Sequence, residues 1–114
     1  MAKNKLYIQI IGLKDEDSFV RSKVKSEIDI TVKKLERIRE RLNRLTVYIK
    51  KYDKTGKRAK YSVETRLETV KGIVVSKDWS WNLVEAVENA LDKLEREVIK
   101  KWEKMRERAR GETL

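Results

Sequence analysis

The residues best placed to do chemistry are cations. Between positions 33 and 60, Lys33, Lys34, Arg37, Arg39, Arg41, Arg44, Lys50, Lys51, Lys54, Lys57, Arg58 and Lys60 are opposed only by Glu36, Glu40 and Asp53. A local field of one sign attracts phosphates, and a surface tuned only for solubility seldom needs such clustering. The excess is unevenly spread. Residues 1–78 hold 21 Lys and Arg against 11 Asp and Glu, while residues 79–114 hold 8 against 8, so the whole net charge of +10 resides in the first part.

Other chemistries find few residues to use. With no cysteine and no histidine, disulfides, thiolate sites, the commonest zinc ligand and the commonest general base are all missing. Asp15, Glu16 and Asp17 could be taken for a metal cluster, but carboxylates ahead of a helix also favour its positive end, and the capping reading is preferred. Gly12, Gly56, Gly72 and Gly111 are isolated, so no phosphate loop, nucleophile elbow or dinucleotide fingerprint occurs. Neither an enzyme nor a cofactor is expected. Met1 to Lys5 lacks the apolar run of a secretory signal, and no stretch approaches the roughly 20 apolar residues of a membrane span. The expectation is a soluble, cytoplasmic protein with no membrane partner.

The elements that must position the cations follow from hydrophobic period. Leu6, Ile8 and Ile10 alternate with Tyr7 and Gln9 up to Gly12, a first strand. Asp17 or Ser18 can cap a helix carrying Val20, Val24, Ile28, Leu35, Ile38 and Leu42 as one apolar stripe. The period changes to two near Arg44, and Leu45, Val47 and Ile49 make a second strand. Asp53 to Gly56 signals a turn; Ala59, Tyr61, Val63, Thr65 and Leu67 continue a third strand, and Val70 to Lys77 reads as a fourth. Asp78, Ser80 or Asn82 could cap a last helix whose stripe is Leu83, Val87, Ala90, Leu91, Leu94, Val98, Trp102 and Met105. At 114 residues this is one α+β domain, β-α-β-β-β-α, with two long helices packed on one face of a four-stranded sheet. Its core spans about 5–108, followed by a short tail, 109–114.

The run Ala86-Val87-Glu88-Asn89-Ala90-Leu91-Asp92-Lys93-Leu94-Glu95-Arg96-Glu97-Val98-Ile99-Lys100-Lys101 resembles the signature helix of the ribosome hibernation-promoting factors, the ribosome-associated inhibitor and sigma modulation proteins. Lys34-Leu35-Glu36-Arg37 is similar to the end of that family's first helix, and the element order is the same. Asn82 stands where the family usually has Asp and Val84 where it usually has Tyr, so a divergent member is indicated. The resemblance implies a factor that lodges in the small ribosomal subunit between head and body, binding rRNA and blocking translation by occupancy. The chain looks like a short form, acting as a monomer on the ribosome.

Three sets of cations are therefore candidates for RNA. Lys93, Arg96, Lys100 and Lys104 lie along one side of the last helix, each matching a basic position of the family pattern, although Glu97, Glu103 and Glu107 could pair with them. Lys33, Lys34, Arg37, Arg41 and Arg44 are assigned to the flank of the first helix's stripe. Lys54, Lys57, Arg58 and Lys60 form a possible third patch at a hairpin tip. Tyr7 and Tyr48 fall out of phase with the buried strand positions and could stack on bases from the open sheet face, though β-propensity explains them as simply. Trp79, Trp81 and Trp102 read as packing residues, the first two as a staple around the last helix's cap. Two rivals share this pattern: a protein-interaction module using a sheet edge or the last helix, and a general double-stranded RNA binder.

Overall fold

The computed structural model describes residues 6–37, 42–53 and 59–112, with side chains described up to Lys104 apart from that of Asp53. Six elements follow in the expected order: β1 (Tyr7–Ile11), α1 (Ser18–Glu36), β2 (Leu42–Asp53), β3 (Ala59–Thr69), β4 (Gly72–Ser80) and α2 (Leu83–Glu112). The sheet order is β1-β2-β3-β4. β1 runs parallel to β2, which requires the crossover that α1 supplies, and β2, β3 and β4 form an antiparallel meander. Both helices cover one face, where Leu45, Val47, Ile49, Val63, Leu67 and Val74 meet their stripes.

Local chemistry sets each boundary. The Asp17 carboxylate accepts from the Val20 amide at 2.9 Å and caps α1, and Lys33 and Lys34 in its last turn oppose the negative end of the helix. Asn82, rather than Asp78 or Ser80, caps α2 by accepting from the Glu85 amide at 3.1 Å. The α2 stripe of Leu83, Ala86, Val87, Ala90, Leu91, Leu94 and Val98 is buried, and Trp102 packs partly buried at its end. The helices run parallel: Phe19, Val20 and Lys23 share a hollow with Asn82, Val84, Glu85, Glu88 and Asn89, and Lys34 further along reaches Glu95.

Two expectations are corrected. Leu42 belongs to β2, not to the stripe of α1; its spacing from Leu35 suits a helix, but the β2–β3 register shifts between Leu42 and Arg44. That bulge adds one residue, so Leu42 and Leu45 are both buried despite lacking strand alternation. Ile38 lies outside the described residues. Val70 and Lys71 are the β3–β4 turn, not the start of β4, because the Thr69 hydroxyl accepts from the Lys71 amide at 3.1 Å and donates to the Gly72 carbonyl at 2.9 Å. Gly72, at φ +132°, then takes a conformation other residues avoid.

The loop before α1 is held from two sides. At Gly12 (φ +94°) a Cβ would stand 2.1 Å from the Ile49 carbonyl oxygen, so only glycine fits this approach of β1's end to β2. The Tyr61 hydroxyl donates to the Glu16 carboxylate at 3.2 Å. Burial first, and the Glu16 charge second, raise Tyr61 above the ordinary tyrosine value.

Leu94 is fully buried between helix and sheet. Leu94→Ala is expected to cost about 2–5 kcal/mol, a large share of the stability of so small a domain, read from urea unfolding of the two proteins.

Candidate nucleic-acid interface

Strand pairing determines which side chains share the face that the helices leave uncovered. The paired residues Tyr7 and Arg44, Gln9 and Thr46, and Ile11 and Tyr48 extend across β1 and β2. On β3 and β4 the same face carries Lys60, Ser62, Glu64, Arg66 and Glu68, then Ile73, Val75, Lys77 and Trp79. Tyr7 and Tyr48 thus stand where alternation put them, Tyr7 exposed and Tyr48 half-buried.

Arg44 corrects an expectation. It lies on β2, not on the flank of α1, because α1 ends at Glu36. Its guanidinium sits 5.5 Å from the centre of the Tyr7 ring and its Nε is 3.8 Å from Glu68, so this side of the face is largely neutralised. Trp79 is also not at a helix cap. As the last open-face residue of β4, it is 47% exposed, with the Lys60 ammonium 4.3 Å from its ring centre. Trp81 meets it edge to face, with centroids 5.8 Å apart and planes at 88°.

The cations of α2 reach this face around the β4 edge. The Lys93 ammonium donates to the Lys77 carbonyl at 3.2 Å and lies 3.5 Å from Asp78. Arg96 and Lys100 follow it along one open hollow of about 400 Å³ shared with Val75, Lys77 and Glu97. A second hollow, about 530 Å³, adjoins it through Lys77 and Lys93 and contains Tyr52, Lys60, Ser62, Asp78 and Trp79. Lys60, Lys77, Lys93, Arg96 and Lys100 therefore line one continuous surface. Lys104 is exposed further along α2.

The first-helix set lies elsewhere. Lys34 is 3.8 Å from Glu95 of α2, Lys33 is 3.6 Å from Asp29 one turn back, and Arg37 is the exposed C-cap of α1. Arg41, Lys54, Lys57 and Arg58 lie outside the described residues. Tyr52, Lys77 and Trp79 also line these hollows, and none of them was among the expected RNA contacts. The signal was available in the alternation of β3 and β4, but reading β4 to stop at Lys77 removed Trp79 from its own strand. Among the described residues no group of acidic side chains is placed to hold a metal, and no helix is long and apolar enough to cross a membrane.

A family model described as "Hibernation factor Hib, C-terminal domain" matches residues 7–114. The chain belongs to this family. The kinship read from the last helix is thereby borne out. Among solved structures the chain is similar to a ribosomal subunit interface protein from Coxiella burnetii, with TM-score 0.59 and 16% identity over 84% of this chain and 97% of that one. It is also similar to the N-terminal domain of Thermus thermophilus Protein Y, with TM-score 0.57 and 20% identity over 82% of this chain and 94% of that one. Identities this low establish the shared fold. No curated protein matches the sequence.

Lys93 joins α2 to β4 while Arg96 and Lys100 project outward. Lys93→Ala is expected to lower the unfolding free energy by at most about 1 kcal/mol, since its ion pair is half-exposed. Arg96→Ala and Lys100→Ala should each stay within about 0.5 kcal/mol of wild type in the same urea melts.

Proposed function

We propose that this domain binds rRNA of the small ribosomal subunit through the β4 edge and the adjoining half of the open sheet face, and silences translation by occupying that subunit. The observation that carries the reading is the unbroken run of Lys60, Lys77, Lys93, Arg96 and Lys100 across two adjoining hollows. Only Asp78 and Glu97 are acidic there, and Asp78 is already engaged by Lys93. Successive cations at the spacing of helix turns and strand residues suit a phosphate backbone. Membership of a hibernation-factor family, and the likeness to a protein titled a ribosomal subunit interface protein, direct the choice of RNA to the ribosome. Such a partner places the domain in the cytoplasm and asks for no catalysis.

Binding by charge is sensitive to salt, so the domain should sediment with purified small subunits at low ionic strength and leave them at high salt. Changing Lys77, Arg96 and Lys100 together to Glu should reduce the slope of log affinity against log salt by about two to three, near one per lost phosphate contact, with the fold intact by circular dichroism. Reversing Lys33 and Arg37 instead tests the α1 side; a larger loss there would move the interface. Equal affinity for naked RNA duplex would favour the general duplex binder, and salt-independent capture of a ribosomal protein would favour the protein-interaction module.

A further inference from the structure

The hollow of about 530 Å³ on the open sheet face contains more than phosphate binding requires. A run of cations along an edge needs no aromatic rings, yet this one opens onto Trp79 and Tyr52, each 47% exposed. The two flank β3: Tyr52 pairs with Lys60 across β2 and β3, and Trp79 pairs with Ser62 across β3 and β4. Their strands are two spacings apart, roughly 10 Å, and the rings are offset by two residues along β3, with Lys60 beside Tyr52 and the small Ser62 beside Trp79. The volume lies in the range of about 300–1,000 Å³ typical of ligand sites.

We propose that this hollow receives one unpaired nucleotide of single-stranded RNA, its base stacked on Trp79 with Tyr52 as the opposite wall and its phosphate held by Lys60 and Lys77. The inference rests on the RNA-binding reading above and adds a base-binding subsite to it. The chemistry is consistent at each position. Lys60 now covers the indole at 4.3 Å. An incoming base can take its place on the ring while the ammonium turns to the phosphate, so a cation–π contact is exchanged for stacking plus a charge-assisted hydrogen bond. The one acid of the hollow does not repel the ligand, because Asp78 accepts from the Trp79 amide at 2.8 Å and faces Lys93 at 3.5 Å. That carboxylate also braces the backbone carrying the indole. The Ser62 hydroxyl is available to a base edge, and the surplus of lysines over acids argues for RNA over an acidic or neutral peptide.

The test titrates the full chain with hexaadenylate, with an abasic hexamer of the same backbone, and with a short RNA duplex, following tryptophan emission. Hexaadenylate should quench the emission and bind roughly 5- to 150-fold more tightly than the abasic chain, the range expected for one stacked base. Trp79→Leu should lose both the quenching and that advantage, Trp79→Tyr should recover most of the affinity, and Trp81→Phe should behave as wild type. Tyr52→Leu, at an exposed strand position, gives an independent reading if Trp79→Leu fails to fold. Equal affinity for the abasic and the base-bearing hexamers, or unchanged hexaadenylate affinity in folded Trp79→Leu and Tyr52→Leu, overturns the base pocket. If small subunits still bind in salt-sensitive fashion in that case, the RNA-binding reading stands and the subsite alone fails; if wild type binds neither subunits nor any hexamer, both fall.

Discussion

One buried hydroxyl holds the two halves of the interface in register. Ser76, on the covered face of β4, donates to the carbonyl of Ala90 at 2.7 Å, and Thr65 on β3 shares a further hydrogen bond with the same Ser76 oxygen. Since the Ser76 proton is committed to the helix, Thr65 must be the donor between them, and both hydroxyls are satisfied inside the core. The contact is possible because Ala86 and Ala90 let the axis of α2 come down close to the sheet. A larger residue at either position would lift the helix and break the Ser76–Ala90 bond, leaving one buried hydroxyl hydrogen without an acceptor at about 1–3 kcal/mol, while Thr65 and Ser76 would still bond to each other within the sheet. With Ala90 held over β4, Lys93 one turn later is within reach of the Lys77 carbonyl and Asp78, and Arg96 and Lys100 follow the edge. The hydroxyl thus sets where the cations of the helix meet those of the strand.

The open face divides along its length by the same pairing logic. On the β1 side Arg44 is matched by Glu68 and covered by Tyr7. Glu64 stands between Tyr48 and Lys77. Toward the end of the sheet where Tyr52, Lys60 and Trp79 gather, the lysines outnumber the acids, and the one aspartate is already paired. A polyanion approaching the sheet meets its strongest attraction there, next to the exposed rings.

Much of this architecture was legible because hydrophobic period and capping agreed. The six elements and their order follow from spacing, as do Val24, Ile28 and Leu35 of the α1 stripe and the α2 stripe as far as Trp102, and Asp17 and Asn82 do cap as their types suggest. The exceptions have specific causes. A β-bulge broke the alternation at Leu42, so a residue of β2 fitted the preceding helix better on spacing alone. The same ambiguity carried Arg44 onto the helix. Trp79 and Trp81 lie two residues apart next to a helix start, where a staple and a strand end have the same local appearance, and pairing with Ser62 decides for the strand. The partnership of Lys34 with Glu95 joins residues 61 apart in sequence, a distance no local pattern spans.

Residues 79–114 balance 8 cations against 8 anions, and by composition this helix should attract nothing. Geometry separates the two signs. At about 100° per residue, Lys93, Arg96, Lys100 and Lys104 fall within an arc of about 80° on the β4 side of the buried stripe. Glu88 and Glu95 fall on the other side, where Glu95 meets Lys34 of α1 and Glu88 lies in the hollow between the helix starts. Glu97 lies at one margin of the basic arc, beside Arg96 and Lys100, and Glu85, Asp92 and Glu103 lie at the other, on the solvent side of Arg96. Glu88 and Glu95 thus serve the contact between helices, where α1 brings its own lysines, and the cations face the sheet edge. With a Debye length of about 8 Å at physiological ionic strength, a phosphate at the β4 edge senses the near side of α2 far more than the far side. A helix neutral in sum can therefore present a basic surface, and the close seating of Ala90 on Ser76 turns that surface toward Lys77 and the open face.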